Sequence, residues 1–272
     1  MFLKELLEDL NKHERNPVNK MYLHEINMKW DKINDYFEDK KELDFEKIAS
    51  ILDNFSQISQ NKKYKYSQSE KKGFKKNSPL FSAIYLNDLV HLLVRKHPII
   101  KKTGIKFGFY KFDTNLKFNP HDFLKMKRQK MLVYNQTSRF LQLTQKIDIQ
   151  YRVNGKKNFF KYNLYLPIII FNTYSQLNEN DLKKMIYTAE QAQAIQGKAR
   201  VVLITETLAK GFKPNITGTG INSIFVLRKQ SIQKKVNAIA PDVIKNLKIK
   251  IDKLLAQKSE NIDKQIKQGI IE

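Results

Sequence analysis

The chain has 272 residues, of which 41% are hydrophobic, and a formal net charge of +23. Such a chain can bury one core of ordinary domain size and still carry extensions. It contains no cysteine, which excludes a disulfide framework, a thiol nucleophile and a cysteine-based zinc site. No apolar run approaches the roughly 18–20 residues of a membrane span, and the acidic start differs from secretory and transit signals. We therefore expect a soluble protein without a membrane partner.

The charge is unevenly distributed along the chain. Residues 1–58 contain 13 acidic and 9 basic side chains, whereas the other 214 residues contain 41 Lys and Arg against 14 Asp and Glu. A folded chain with this much positive charge is stabilised by a polyanion, and phosphate backbones add a gain from counterion release. An AT-biased genome would also enrich lysine, but it would do so along the whole chain, and residues 1–58 have no excess of basic residues. The charge therefore predicts a nucleic-acid partner for the basic part and a separate surface on the acidic part.

The N-terminal part is predicted to be helical and to end in a basic linker. Leucines at helical spacing predict a helix over residues 2–10, and the stripes at Trp30–Phe37 and Ile48–Phe55 predict a helix over 22–58. From residue 59 to 78 the hydrophobic period is lost, and lysines dominate beside Tyr64, Tyr66 and Phe74. Such a segment is expected to become ordered only on an anion. The chain is thus divided into an acidic helical extension (1–58), a flexible linker (59–78), a core (79–256) and a polar tail (257–272).

The core pattern predicts helices alternating with strands. Helices are expected over 80–94 and 122–145, and two strands over 147–153 and 159–171 should meet near Asn154-Gly155. Asn178 or Asn180 should cap a helix that runs to Ile195. Strands over 201–205 and 221–227 follow, and Pro241 should open a last helix. This alternation predicts an α/β fold, with a parallel sheet flanked by helices in a Rossmann-like three-layer core, a helical N-terminal extension and a C-terminal helix.

Motifs for metal or cofactor binding are missing from the sequence. The five histidines are scattered without metal-ligand spacing, and Gly218-Thr219-Gly220 lacks the third glycine and the Lys-Ser/Thr of a phosphate loop. We therefore expect no cofactor, no metal and no small-molecule substrate.

A metal-dependent nuclease of the PD-(D/E)xK type is the alternative from the residues themselves. The predicted order of helix, strand hairpin, helix and strand over 122–206 is suitable, and Asp148 could be the first carboxylate. The strand Leu166–Ile170 should then carry Glu-x-Lys, but it continues Phe171-Asn172-Thr173-Tyr174. Two Mg²⁺ ligands and the charge-stabilising lysine are missing there, although Lys183 or Glu190 could substitute. This alternative predicts Mg²⁺-dependent nicking that Asp148→Ala abolishes, and it predicts Asp148 beside Asn172 in the sheet. A degenerate relative would bind DNA without cutting it.

Several short segments, taken in order, resemble the family of small-subunit ribosomal protein two (S-two). Gly104–Gly108 and Phe118-Asn119-Pro120 resemble the family's Gly-x-His-Phe-Gly and Trp-Asn-Pro elements. Leu132–Thr137 resembles its Ile-Ile-Asp-Leu-x-x-Thr segment, and Val201–Asn215 resembles its strand before a glycine-rich loop. Lys106, Phe118, Leu208 and Lys210 depart from the family pattern, and the helical hairpin of bacterial members has no room.

The resemblance implies a structural constituent of a small ribosomal subunit, in an organellar and specifically mitochondrial member of the family. It implies no catalysis and no catalytic residue. Its partners would be ribosomal RNA and neighbouring ribosomal proteins, the latter bound by the acidic extension, and its location the mitochondrial matrix or otherwise the cytoplasm. The expected RNA contacts are the basic residues of the linker and core: Lys62, Lys63, Lys65, Lys71, Lys72, Lys75, Lys76, Lys101, Lys102, Lys106, Lys111, Lys117, Lys125, Lys127, Arg128, Lys130, Arg139, Lys210 and Lys213.

Overall fold

The structure is a computed structural model that describes residues 8, 12, 17–39, 43–60, 84–95, 97–118, 132–137, 139–151, 160–231 and 236–268. Its helices are α1 (Pro17–Asp39), α2 (Phe45–Gln60), α3 (Ile84–Val94), α4 (Pro98–Thr103), α5 (Glu179–Ile195) and α6 (Pro241–Gln268). Its strands are β1 (Lys106–Tyr110), β2 (Asp113–Phe118), β3 (Leu132–Gln136), β4 (Phe140–Tyr151), β5 (Phe160–Leu177), β6 (Arg200–Leu208) and β7 (Ile221–Val226). Within these described ranges, every helix is too short or too polar to span a bilayer.

A five-stranded mixed sheet organises the molecule in the order β1-β4-β5-β6-β7. Strand β4 runs antiparallel to both of its neighbours, whereas β5, β6 and β7 are parallel to one another. Strands β2 and β3 form a separate antiparallel pair. Helices cover both faces of the large sheet, and α6 closes the chain. The expected α/β class, with parallel strands between helices and a C-terminal helix, is therefore confirmed.

Two hydrophobic cores lie on the two faces of the sheet. The larger one joins Ile169 and Val202 of the sheet to α1, α2, α3 and α6, where Trp30 and Phe55 are fully buried with ring centroids 5.1 Å apart. The smaller one joins Ile170 and Leu203 to α5. Neighbouring residues of β5 and β6 therefore point into different cores, as the two-residue period of a strand requires. Helices α1 and α2 are thus packed into the same core as the rest of the chain.

The helix predicted over residues 22–58 is interrupted. Helix α1 ends at Asp39 and α2 begins at Phe45, and the Asp44 side chain accepts a hydrogen bond from the backbone N–H of Lys47 at 3.0 Å. An aspartate that satisfies a free N–H of the first helical turn is a typical N-cap. Asp44, one of the 13 acidic residues of the N-terminal part, therefore also caps the start of α2.

The helix predicted over residues 122–145 is wrong where the structure describes it. Residues 132–136 and 140–145 belong to β3 and β4, and Leu141 and Leu143 pair with Phe171 and Ile169 of β5. The register with a long apolar neighbouring strand overrides a local pattern that also fits a helix. Residues 119–131, which include Lys125, Lys127, Arg128 and Lys130, lie outside the described residues.

The elements from residue 147 onward follow the sequence closely, whereas α4, β1 and β2 were not predicted. The predicted strands at 147–153 and 159–171 do pair antiparallel, although their turn at 152–159 lies outside the described residues. Of the two candidate caps for α5, Asn178 is the one used, and its side chain accepts from the backbone N–H of Asp181 at 3.0 Å. Helix α6 begins at Pro241 as predicted.

A buried ion cluster fastens α2 to the sheet. Arg228, which follows β7, is 3% exposed and donates through Nε to Glu206 of β6 at 3.0 Å. It also donates to Ser56 Oγ at 2.9 Å and pairs with Asp53, both on α2. Ser56 in turn donates to Glu206 at 2.7 Å. Burial, followed by the charge of Glu206, raises the pKa of Tyr85 beside the cluster.

Candidate nucleic-acid interface

One edge of the large sheet collects the carboxyl ends of the parallel strands. Strands β5 and β6 end there, and the register places the end of β1 and the start of β4 on the same side, since Tyr110 pairs with Phe140. Ligands of open α/β sheets bind outside the carboxyl ends of the strands. We refer to this side as the carboxyl edge.

A groove of about 800 Å³ opens at the carboxyl edge, between the start of α5 and the loop after β6. Its lining residues come from these two segments alone: Asn178, Glu179, Asn180, Leu182, Lys183, Ile186, Ala209, Lys210, Gly211, Phe212, Lys213 and Asn215. The loop is anchored by the N–H of Ala209, which donates to the carbonyl of Leu177 at 2.9 Å. Gly211 has a φ of +74°, a left-handed conformation that a residue with a Cβ rarely adopts.

The groove is positively charged on balance. Lys183 forms an exposed ion pair with Glu179 at 2.8 Å, and this lysine lowers the pKa of the Glu179 carboxyl. Lys210 and Lys213 are exposed, and neither has an ion-pair partner among the described residues. Two exposed lysines without an acidic partner among the described residues form a surface suited to phosphate.

The structure places the sequence-predicted basic residues in three groups. Lys210 and Lys213 lie in the groove. Lys106 and Lys111 lie exposed at the two ends of β1, and the exposed Arg139 precedes β4 beside Lys111. Lys101 and Lys102 fall in α4 and Lys117 in β2, where only the backbone is described. The seven linker lysines and the four basic residues at 125–130 lie outside the described residues.

Sequence reasoning missed three further lysines. Lys183 lies in the groove, while Lys146 and Lys161 lie on the paired strands β4 and β5. The sequence suggests Lys183 only as a substitute for the catalytic residues that the nuclease alternative lacks, although its position in a helix is correctly predicted. The signal for the other two was the strict alternation of polar and apolar residues over 146–151 and 160–165.

In β5, the segment where the nuclease alternative expects Glu-x-Lys carries Asn172 and Thr173 instead, and both side chains contact neighbouring helices. Asn172 donates through Nδ2 to Tyr174 Oη at 2.8 Å, and that nitrogen lies 2.9 Å from Met185 Sδ of α5. Burial, followed by the charge of Asp181, raises the pKa of Tyr174, so its hydroxyl stays neutral. Thr173 points to the other face and donates to Asn87 Oδ1 at 3.0 Å. These side chains hold helices to the sheet.

Asp148 does not lie beside Asn172. It pairs across the ladder with Asn163, and its carboxylate contacts Lys146 at 2.7 Å. Asn172 lies nine residues further along β5, about 30 Å away at the usual rise of a strand. The reason is the register of the hairpin, which places Asp148 three rungs from its last pair, Tyr151 and Phe160, whereas Asn172 lies beyond the other end of the β4–β5 ladder.

A divalent metal site does not fit the described side chains. No group of three or more His, Asp or Glu that could hold an ion occurs within the described ranges. Asp148 has Lys146 and Asn163 as neighbours rather than a second carboxylate. Since Mg²⁺ requires several oxygen ligands, no metal-dependent step is assigned to these residues.

Comparison with known proteins identifies the fold. No protein-family model matches the chain, and no curated protein sequence matches it either. Among solved structures, the chain is similar to the restriction endonuclease BbvCI, in a structure described as "native BbvCI A2B2 tetramer at low resolution". The TM-score is 0.70 at 14% sequence identity, and the match covers 95% of this chain and 98% of that one.

This likeness overturns the ribosomal interpretation. The resemblance to the S-two family is wrong, because the fold matches a restriction endonuclease over almost the whole chain. Three predictions that depended on this resemblance are wrong for the same reason. They are the role as a structural constituent of a small ribosomal subunit, the absence of enzymatic activity, and the partnership with ribosomal RNA and ribosomal proteins. The short motifs misled because turn glycines and Asn-Pro steps recur wherever strands and helices alternate. Over its described residues, this chain has the fold of BbvCI.

Proposed function

We propose that this chain acts on duplex DNA as an endonuclease of the restriction-enzyme fold. The observation that carries the proposal is the likeness to BbvCI, which extends over 95% of the chain with a TM-score of 0.70. The charge distribution supports it independently, since a net charge of +23 is suited to a phosphate backbone and DNA supplies one.

The carboxyl edge is the surface that we assign to the DNA backbone. Lys210 and Lys213 line its groove, and Lys111 and Arg139 lie on the same side of the sheet. Contacts of lysine and arginine with phosphate position a protein on the duplex without reading the sequence. Lys106 and the lysines and arginines outside the described residues add to the same attraction.

The BbvCI structure is that of an A2B2 tetramer. We extend this to the present chain as part of the proposal: its cutting form is an assembly that includes further subunits. The incomplete set of metal ligands on the described parts of β4 and β5 agrees with that view, because a second subunit can bring carboxylates of its own. The expected location in the mitochondrial matrix, or otherwise in the cytoplasm, stays a prediction.

Binding and cleavage of DNA by the full-length chain test the proposal. We expect it to bind duplex DNA more tightly than a ribosomal RNA fragment of equal length. The double variant Lys210→Gln/Lys213→Gln should reduce the slope of log affinity against log salt by about 1.8, since each lost phosphate contact removes about 0.9. Lys245→Gln/Lys253→Gln, two exposed lysines of α6, is the matched control and should leave the slope unchanged.

Cleavage is measured on supercoiled plasmid with Mg²⁺, with the chain alone and with proteins that co-purify from its native source. Nicked or linear plasmid in either reaction supports the proposal. The proposal would be wrong if the chain bound the RNA fragment more tightly than the duplex DNA, or if it sedimented together with ribosomal particles.

A further inference from the structure

Part of the hairpin formed by β4 and β5 extends beyond the rest of the sheet. Strand β1 pairs with β4 only up to Thr144, and β6 pairs with β5 only from Ile169 onward. Residues 145–151 and 160–166 therefore pair only with each other among the described strands. The seven rungs span about 20 Å at the usual rise of a strand. A two-stranded ribbon has two open faces, so the side chains on them require an explanation.

One face of this ribbon is polar, aromatic and basic. The register pairs Lys146 with Tyr165, Asp148 with Asn163 and Gln150 with Lys161, and side chains of directly opposed residues share a face. The alternate rungs are apolar, for example Ile147 opposite Leu164. We call the polar side the stacking face; it comprises Tyr110, Tyr165, Lys106, Lys146, Asp148, Gln150, Lys161 and Asn163.

Two tyrosine rings are stacked on this face. The rings of Tyr110 and Tyr165 have centroids 4.8 Å apart and an interplanar angle of 24°, and both side chains are half-buried. The Tyr110 ring folds back over Gly108, where an added Cβ would lie only 3.3 Å from Cε2 of the ring. The glycine therefore leaves room for the ring to lie along the strand. Burial, followed by Tyr165, raises the pKa of Tyr110, so its hydroxyl carries no charge that would repel phosphate.

Three lysines flank the tyrosine pair. Lys106 pairs with Thr144, two residues from Lys146 on the same face of β4, and Lys161 lies further along the ribbon. Lys106 and Lys161 are exposed, and the side chain of Lys146 is 32% exposed and held by Asp148 at 2.7 Å. An acidic protein would neutralise these lysines but would leave the stacked rings without a role. Unpaired nucleotides satisfy both groups, because their bases stack on aromatic rings and their phosphates bind lysine.

We propose that the stacking face binds an unpaired strand of DNA. The proposal rests on the proposed function, and it adds that the chain binds unpaired DNA as well as the duplex. Tyr110 lies at the end of β1, next to Lys111 and Arg139 of the carboxyl edge. A strand that leaves a duplex bound at that edge can therefore continue along β4 and β5. Paired bases cannot stack on these rings, so the face selects nucleotides that have left the duplex.

Fluorescence anisotropy with the full-length chain tests the proposal. The probes are an unpaired DNA of about 12 nucleotides, a blunt duplex of the same sequence and the matching RNA. Tyr165→Ala should weaken binding of the unpaired DNA roughly 5- to 150-fold, the range for loss of one stacked base, and leave duplex binding and the melting temperature unchanged. Tyr165→Phe keeps the ring and should bind like the wild type. Tyr187→Ala, a 62% exposed tyrosine on α5, is the matched control and should have no effect.

Two further variants make the outcome decisive. Asp148→Asn removes the acidic group beside Lys146 and should tighten binding of the unpaired DNA by about two- to fivefold, the scale of an exposed ion pair. Gly108→Ala should displace the Tyr110 ring and, because Gly108 has a φ of +157° that alanine rarely adopts, also strain β1; both effects should weaken binding in the same direction as Tyr165→Ala. The proposal is overturned if Tyr165→Phe is as weak as Tyr165→Ala, if Tyr187→Ala has the same effect, if Asp148→Asn weakens binding, or if the RNA binds more tightly than the DNA. If the wild-type chain binds neither the unpaired DNA nor the duplex, the proposed function is refuted. If it binds the duplex normally and the variants bind the unpaired DNA as tightly as the wild type, only the stacking face is refuted.

Discussion

The buried ion cluster around Arg228 provides the most direct test of how the N-terminal helices are attached. Arg228 and Glu206 are 3% and 2% exposed, and the guanidinium also contacts Asp53 and Ser56 of α2 and the carbonyl oxygen of Asn237. Arg228→Met removes the cation of the cluster and leaves Glu206 charged in the core. Removal of one partner from a buried pair costs about 3–5 kcal/mol, and we expect that loss in the free energy of unfolding.

A double-mutant cycle separates the pair from the packing. Arg228→Met/Glu206→Leu removes both buried charges, and the 15% exposed Asp53 is left near solvent. The double variant should recover most of the loss, to within about 1–2 kcal/mol of the wild type, since apolar replacement of a buried pair is often neutral. The assay is urea unfolding followed by circular dichroism at pH 7. Lys183→Met, which breaks the exposed pair with Glu179, is the control and should change stability by less than about 0.5 kcal/mol. A loss below about 1 kcal/mol for Arg228→Met, or a double variant as unstable as the sum of the singles, would refute this reasoning.

Three further predictions concern single side chains. Burial, followed by the charge of Arg95, lowers the pKa of His91 from 6.5 to about 4; the folded state therefore binds fewer protons, and the stability due to this group is complete above pH 6.5 and falls as the pH drops toward 4. Urea midpoints measured across that interval should fall less steeply for His91→Gln than for the wild type. Gln142 is fully buried, and neither atom of its amide has a hydrogen-bond partner among the described residues; Gln142→Leu should raise the urea midpoint, by about 1–3 kcal/mol of unfolding free energy, and a lower midpoint would contradict this. An added Cβ at Gly220 would lie 2.9 Å from the Cβ of Ala189 on α5, so Gly220→Ala should lower the melting temperature through a loss of about 1–3 kcal/mol, whereas the exposed Gly197→Ala, with open space around it, should not.

Local patterns predicted the elements from β5 onward better than the strands that precede β5. Strands β5, β6 and β7 and helices α5 and α6 follow from apolar runs, an asparagine cap and Pro241, because these signals act within a few residues. Strand β4 was partly assigned to a helix, because Leu141 and Leu143 are spaced acceptably for either structure and only the partner strand decides. The ion cluster was invisible, since Asp53 and Arg228 are 175 residues apart in the chain.

The candidate site shows the same division. The lysines at positions 210 and 213 were identified because charge is legible in the sequence, and the structure collects them in one groove with Lys183. The type of nucleic acid was not legible, since lysine attracts DNA and RNA phosphates equally. The wrong choice of RNA came from turn motifs, which mark changes of chain direction in any α/β fold.

The pairing of the strands meets part of each interpretation, and the likeness over the whole chain is what separates them. The S-two interpretation placed β6 parallel to β5 with β7 next to it, and the structure has them so. The nuclease interpretation required an antiparallel pair over residues 147–171 as the centre of the sheet, with Asp148 beside Asn172. Strand β4 does pair with β5 over 11 rungs from Leu141 to Tyr151, but Asp148 lies opposite Asn163. That hairpin is also the element that carries Lys146, Asp148 and Tyr165 beyond the sheet. The strand pair at the centre of the sheet is therefore also the one whose protruding part, on our proposal, binds the unpaired DNA.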